Sequence, residues 1–188
     1  MKKKILLYFL TFCMILVFTS GCAKTPNKEV LIYTDYPEYD TVDHMEDAAT
    51  VIIEGKIISA KEVTLDITET LTAEQKNDPK LNPGGETVSL SFPNTIYTVE
   101  INTVYKGNVI EGNTIEIKQL GGTVDNVNYT EADATKIQID STYILFLETY
   151  SNSPATLINQ IQGIYEYKDN KITGNDKNKI ILDLKDLG

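Results

Sequence analysis

An all-β fold with one short helix is the fold class that this sequence predicts. Apolar and polar residues alternate with a period of two over most of the chain, turn residues separate the alternating runs at short intervals, and only one stretch has helical periodicity. At 188 residues the chain has the length of one domain, and its 41% hydrophobic content suffices for a core. We therefore expect a small β-barrel or β-sandwich.

The amino terminus has the features of an export signal. Three lysines at positions 2–4 precede an apolar run, 5–18, whose 14 residues are fewer than the roughly 20 that span a bilayer. Thr19-Ser20-Gly21-Cys22 follows and resembles the lipobox of bacterial lipoproteins, with Thr19 in place of the usual leucine. The resemblance implies cleavage between Gly21 and Cys22 and attachment of a diacylglyceryl group, with acyl chains such as palmitate, to Cys22 Sγ. An ordinary secretory signal and an uncleaved anchor helix are the alternatives.

Three segments follow from this interpretation: a signal peptide at 1–21, a tether at 22–28 and a single β-rich domain at 29–188. Loss of 21 residues that carry three lysines and no acid takes the chain from a net charge of −10 to −13 over 167 residues. Such an acidic protein is a poor partner for nucleic acid, which is bound mainly by basic side chains. We expect it on the outer face of the bacterial cell membrane, held by lipid at Cys22 and repelled by anionic headgroups.

The one predicted helix is Thr41–Ala49. Thr41 can cap its amino terminus, and Asp43 lies in its first turn, where a negative charge is favourable. Its apolar residues recur with helical spacing on one face. That face contains Val42, Met45 and Ala49.

The remaining structure is predicted as strands. The run 97–103 alternates most clearly, with one half-buried face and one exposed face. The inner face contains Tyr97, Val99, Ile101 and Thr103, and the outer face contains Thr98, Glu100 and Asn102. The predicted strands are Val30–Thr34, Val51–Val63, Thr64–Thr70, Val88–Phe92, Ile96–Tyr105, Thr114–Leu120, Tyr143–Leu147, Ile161–Tyr167, Lys171–Thr173 and Ile180–Leu184.

Glycine and polar runs predict where the strands bend and end. Gly55 inside a β-branched run indicates a bulge or bend. Gly121-Gly122 is predicted to close the strand before it, and Asp125–Lys136 to form an acidic loop. Leu71–Pro83 is predicted as a helical turn and surface loop, and Asp35–Asp40 as an irregular loop.

Part of the predicted domain resembles a family of small exported bacterial β-domains. The residues that carry the resemblance are the run 48–57, the strand and turn Tyr97–Gly107, Ile115–Lys118, Gly121-Gly122, and Tyr143–Leu147. In that family the strands build a five-stranded OB-like barrel. The resemblance covers residues 48–167, implies the same barrel here, and brings no catalytic motif with it.

Few residues qualify for acid–base or metal chemistry. His44, the only histidine, lies off the apolar stripe of the predicted helix, and a solvated position is the simpler interpretation. The acidic loops Asp35–Asp40, Asp125–Asp133 and Asp169–Asn178 offer oxygen ligands but lack the spacing of a calcium loop. With Cys13 removed and Cys22 acylated, no thiolate ligand or nucleophile remains. We therefore expect no metal, no cofactor and no catalytic residue.

Tyrosine is the side chain best suited to a binding site in this sequence. Tyr33, Tyr36, Tyr39, Tyr129 and Tyr150 lie in predicted loops or at strand ends, and tyrosine suits wet interfaces. They can form a ligand platform, or they can pack singly with their hydroxyl groups in water. The ligand itself is not predicted.

Three functions remain open at this stage. The first is a non-enzymatic, membrane-anchored binding module for a protein or cell-envelope ligand. The second is an inhibitor-like or accessory protein of an exported enzyme, by analogy of fold alone. The third is a hydrolase with two carboxylates as acid and base, which needs both groups in one cleft about 5–9.5 Å apart.

The lipobox interpretation is tested at its cysteine. Cys22→Ala should abolish labelling by a radioactive or clickable fatty acid and leave uncleaved precursor, because both steps depend on that thiol. Normal processing and unchanged membrane retention of the variant would contradict lipid attachment at Cys22.

Overall fold

The computed structural model describes residues 28–66, 80 and 91–187. The predicted signal peptide with Gly21 and Cys22, nearly all of the tether and almost all of the predicted loop at 71–83 lie outside these residues. Within them, no helix combines the length and the apolar character needed to cross a membrane.

Nine strands and one α-helix form the described fold. In chain order they are β1 (Lys28–Ile32), α1 (Val42–Ala48), β2 (Val51–Asp66), β3 (Ser91–Lys106), β4 (Thr114–Val124), β5 (Val127–Glu131), β6 (Thr142–Tyr150), β7 (Ser153–Leu157), β8 (Ile164–Lys168) and β9 (Lys171–Gly174), followed by a 3-10 turn at Leu184–Asp186. The predicted all-β class with one short helix is confirmed.

Five strands pair in a ring. β2 lies between β3 and β6, and both pairs are antiparallel, as are β3 with β4 and β6 with β7. The ring closes where β4 and β7 run parallel, through Ile117 with Ala155 and Lys118 with Thr156. The sheet is ring-like but is not a barrel. β1 and β5 extend it beyond β4, and β8 and β9 extend it beyond β6.

Two apolar cores lie on opposite sides of the pair β2 and β6. Odd-numbered residues of both strands, such as Ile53 and Leu145, face the inside of the ring, where they pack with Val99, Ile101 and Ile117. We call this the ring core. Even-numbered residues face outwards. They pack with α1, β8 and the carboxyl-terminal segment in an outer core that contains Val42, Met45, Ala49, Ile52, Ile144, Phe146, Ile158, Tyr165, Leu182 and Leu187.

The predicted helix is confirmed, and β6 is buried on both faces. Thr41 caps α1, with its hydroxyl oxygen accepting from the backbone N–H of His44 at 3.3 Å. Met45 is fully buried against Tyr165, so the apolar stripe faces the outer core as predicted. All five residues of Tyr143–Leu147 are buried.

A bulge in the pairing of β2 with β3 lies at Gly55, as predicted. The pairing of β2 with β3 shifts register between Glu54 and Gly55, so that Asn102 has no partner in the ladder. A Cβ atom at Gly55 would overlap the side chain of Val99. The register shift also changes which residues face the ring core. Val99 and Ile101 are buried as predicted, but Val104 packs against the ring core in place of the predicted Thr103.

The prediction that Gly121-Gly122 closes a strand is wrong. Both glycines lie inside β4, with φ of +120° and +138°, and a Cβ at Gly121 would come within 2.8 Å of the Tyr129 carbonyl oxygen. The turn comes later, at Asp125-Asn126, where both residues have the positive φ that a tight hairpin requires. The predicted loop 125–136 therefore contains a strand, β5.

Other elements also differ from the prediction. β3 runs from Ser91 to Lys106 as one strand, whereas two strands, Val88–Phe92 and Ile96–Tyr105, were predicted. β7 was not predicted, because its sequence, Ser153–Leu157, contains proline and only two buried apolar residues. Ile180–Leu184 forms no strand: Leu182 docks into the outer core without a ladder partner among the described residues.

The two faces of β3 can be compared by mutation. Ile101→Ala removes a fully buried side chain from the ring core and should lower the free energy of unfolding by about 2–5 kcal/mol. Glu100→Ala changes an exposed neighbour and should cost no more than about 0.5 kcal/mol. Denaturant midpoints measure both, and a cost at Glu100 equal to that at Ile101 would contradict the assigned facing.

Candidate functional site

The segment between β1 and α1 is held against the ring by amide side chains. Gln162 bonds both backbone groups of Tyr39, accepting from its N–H at 3.0 Å and donating to its carbonyl at 2.9 Å. Asn159 Nδ2 donates to the carbonyl of Pro37 at 2.9 Å. These bonds fix the backbone around Tyr36 and Tyr39, so the segment is a wall of defined shape and not a loose loop.

A cavity of about 430 Å³ lies between this wall and the outer surface of β4, β6 and β7. Three of the five predicted platform tyrosines line it. We call it the tyrosine groove. Its lining residues are Tyr36, Pro37, Tyr39, Ala48, Asn94, Lys118, Leu120, Glu148, Tyr150, Thr156, Leu157, Ile158 and Gln160.

One side of the tyrosine groove is a connected polar surface. Lys118 Nζ lies 5.1 Å from the centre of the Tyr150 ring and donates to Ser153 Oγ at 2.6 Å. The Tyr150 hydroxyl bonds Glu148 at 3.1 Å and Thr156 at 3.0 Å. A positive charge, a negative charge and an aromatic ring are thus fixed within one row of neighbouring side chains.

The groove tyrosines are kept in their protonated form. Burial raises the pKa of Tyr39, and the charge of Glu148 adds to it. Burial also raises the pKa of Tyr150, and Glu148 adds to that effect while Thr156 opposes it. Burial, together with the neighbouring carboxylate of Glu131, raises the pKa of Tyr36 to about 12. At neutral pH these hydroxyl groups are hydrogen-bond donors and not bases.

Behind the groove lies a buried polar cluster around Glu131. Its side chain is only 4% exposed, and Thr34 donates a hydrogen bond to Oε1. Gln119 Nε2 donates to Gln160 Oε1 at 2.9 Å and to the carbonyl of Thr135 at 3.0 Å. Glu131 Oε2 is buried and has no hydrogen-bond partner among the described residues. A buried acceptor without a donor is costly, and the Tyr36 hydroxyl, whose pKa Glu131 raises, is a neighbouring donor for this carboxylate.

A second cavity, of about 320 Å³, opens on the other side of this cluster at the end of the ring. We call it the ring mouth. It is lined by Glu62, Thr95, Tyr97, Gln119, Leu120, Gly121, Gly122, Asn128, Tyr129, Thr130, Glu131, Ala134, Thr135, Lys136 and Ile137. A Cβ atom at Gly122 would make only an ordinary contact with Glu62 Cγ, at 3.4 Å, so the φ of +138° and not close packing favours glycine there.

A scan against protein-family models finds no match for this chain, and a search of curated proteins finds no similar sequence.

The five candidate platform tyrosines do not form one cluster. Tyr36, Tyr39 and Tyr150 come together in the groove, whereas Tyr129 lines the ring mouth and Tyr33 is 79% exposed. His44 lies on the exposed face of α1, where the simpler interpretation placed it. In the part of the chain that the structure describes, no three His, Cys, Asp or Glu side chains are grouped as metal ligands. Instead, Asp133 forms an ion pair with Lys177.

Sequence reasoning missed the charged residues of both cavities. Lys118 lies in the predicted strand Thr114–Leu120, but nothing in the local sequence shows that β7 brings Ser153 and Thr156 beside it. Glu131 was assigned to a solvated loop and is instead buried. A usable signal was the alternation in Val127–Glu131, which matches the strand β5.

Proposed function

We propose that this protein is anchored by lipid at Cys22 to the outer face of the bacterial cell membrane and binds a ligand in the tyrosine groove without transforming it. The ligand is a segment of an exported protein or a fragment of the cell envelope. The observation that carries the proposal is the convergence of Tyr36, Tyr39 and Tyr150 with Lys118 and Glu148 in one cavity. Tyrosine combines a large apolar surface with a donor, as binding sites require.

The groove tyrosines are suited to orienting a ligand. Their hydroxyl groups are neutral at physiological pH, and each can donate and accept a hydrogen bond. Lys118 and Tyr150 already have partners, so the surface is fixed before a ligand arrives. Such preorganisation reduces the entropy lost on binding.

The strand that follows the predicted tether supports the same proposal. β1 runs parallel to β5 with Lys28 beside Val127 and Ile32 beside Glu131. The six peptide units from Cys22 to Lys28 can span at most about 20 Å, so an anchored chain holds the Lys28 end of β1 near the membrane. Tyr36 follows the opposite end of β1, which favours a groove turned away from the lipid.

The hydrolase alternative has one supporting observation. Glu62 and Glu131 line the same cavity, the ring mouth. We rank it second because Thr34 already donates to Glu131 Oε1, which gives that carboxylate a part in holding β1 and the following segment in place. The inhibitor-like alternative rests on analogy of fold alone.

Binding in the groove is tested by capture with matched variants. The full chain is immobilised and used to capture exported proteins and cell-wall fragments. Each captured species is then titrated against the wild type, Tyr150→Ala, Lys118→Met and the control Tyr33→Ala. Tyr33 is 79% exposed and lies outside the groove, so its loss should leave affinity unchanged. Loss of Tyr150 or Lys118 should weaken binding about tenfold, as truncation of a central contact does.

Two results decide against the proposal. One is equal affinity of the groove variants and the Tyr33 control. The other is turnover of a captured species by the wild-type chain, which would favour an enzyme. Denaturant midpoints of all variants exclude unfolding as the cause of any loss.

A further inference from the structure

β1 is the end strand of the sheet, and its outer side has no partner strand among the described residues. Its inner side pairs with β5 in parallel and without a register shift, from Lys28 beside Val127 to Ile32 beside Glu131. No proline or bulge interrupts β1. Proteins protect exposed edge strands with such features, because an open edge can pair with another chain. The outer side of β1 is therefore open to one more strand.

The direction of the main-chain groups shows which residues can hold that strand. The Ile32 carbonyl accepts from the Ala132 N–H at 2.8 Å, so Ile32 bonds towards β5. Because successive residues of a strand point in opposite directions, the groups of Val30 also point to β5. The N–H and carbonyl groups of Glu29 and Leu31 then point away from the sheet. Leu31 is 54% exposed, so this edge is in contact with solvent.

The side chains along this edge form a short series of alternating residues. Glu29 and Leu31 lie on one face of β1, since residues two apart in a strand share a face. Tyr33, which is 79% exposed, and the exposed Asp35 follow directly after β1 with the same spacing. Neither Glu29 nor Asp35 forms an ion pair within the described residues. A strand added here meets two apolar side chains with an uncompensated negative charge on each side of them.

Charge decides which partner fits this edge. Opposite charges across a strand pair are stabilising, whereas like charges directly opposite each other are destabilising. A second copy of this chain would bring its own excess of ten acids over lysines, and the two copies would repel each other. A segment with basic residues at both ends of an apolar pair is complementary to the series instead.

We propose that the outer edge of β1 binds an extended segment of a partner protein as an added strand, and that alternate residues of this segment are basic, apolar, apolar and basic. Its main chain bonds to Glu29 and Leu31. Its apolar side chains cover Leu31 and Tyr33, and its basic side chains approach Glu29 and Asp35. This surface is separate from the tyrosine groove, and the proposal depends neither on lipid attachment nor on binding in the groove.

The test compares two peptides on the full chain in detergent. Acetyl-Lys-Thr-Val-Thr-Val-Thr-Lys-amide carries the proposed pattern, and acetyl-Glu-Thr-Val-Thr-Val-Thr-Glu-amide has the opposite charges. Amide exchange measured by NMR should show that the Leu31 N–H exchanges freely in the unbound chain and becomes protected by the basic peptide. Binding should be saturable and should weaken with salt, and the acidic peptide should not bind.

Variants of the edge separate its main-chain bonds from its charges. Leu31→Pro removes one outward N–H but none that bonds to β5, since proline is tolerated in an edge strand where its nitrogen faces solvent, and it should abolish binding of the basic peptide. The double change Glu29→Lys with Asp35→Lys should weaken that binding at least tenfold and allow the acidic peptide to bind. Glu100→Lys, a charge reversal at an exposed position of β3, is the control and should change neither result.

Several outcomes would overturn the proposal. They are absence of binding by the basic peptide, equal binding of the acidic peptide, and unchanged affinity in the double lysine variant. Self-association of the wild-type chain that Leu31→Pro abolishes, measured by sedimentation, would make a second copy the occupant and would also overturn it. If Leu31→Pro does not fold, the exchange of peptide preference in the double lysine variant is the criterion, and its absence contradicts the proposal.

Discussion

Residues 51–55 of β2 and 143–147 of β6 pair with each other and are buried on both faces of the sheet, and the rest of the molecule depends on this arrangement. Ile53 and Leu145 face the ring core, while their neighbours Ile52 and Phe146 face the outer core. Each of these side chains contributes about 1.5–3 kcal/mol by burial. This pair of strands therefore forms one wall of both cores. Exposing either core to water also removes packing contacts from the other core.

This shared wall also positions the tyrosine groove. α1 docks on the outer face through Met45, and the backbone of Gly163 accepts from the Phe146 N–H at 2.9 Å. The chain that leads into α1 must then pass over the ring, where Asn159 and Gln162 hold it. The groove is accordingly a consequence of packing between the two cores, and its walls have little freedom to move.

The parts of the fold that were predicted are those with a local cause. Thr41 caps the helix that the local spacing indicates, Gly55 lies at a bulge in the strand pairing, and the alternation at Val99 and Ile101 faces the ring core. Gly121 and Gly122 were misassigned, because glycine marks a sharp turn and a bend inside a strand alike. Alternation also failed at Leu182, where burial comes from docking and not from a strand partner.

The sites were less predictable than the fold, since their contacts join distant parts of the chain. Thr34 and Glu131 are 97 residues apart, and Pro37 and Asn159 are 122 apart. Tyrosine content indicated that a platform was possible but not which three side chains would meet. For Glu131 the local alternation indicates only the strand β5, whereas its burial depends on β1 pairing with β5.

Native-state hydrogen exchange under increasing denaturant tests most directly whether β2 and β6 unite the two cores. We expect the amides of α1 and β8, which belong to the outer core, to converge on the same global opening as those of Val99 and Ile101 in the ring. Exchange of α1 and β8 through a separate opening that leaves the ring protected would contradict the account.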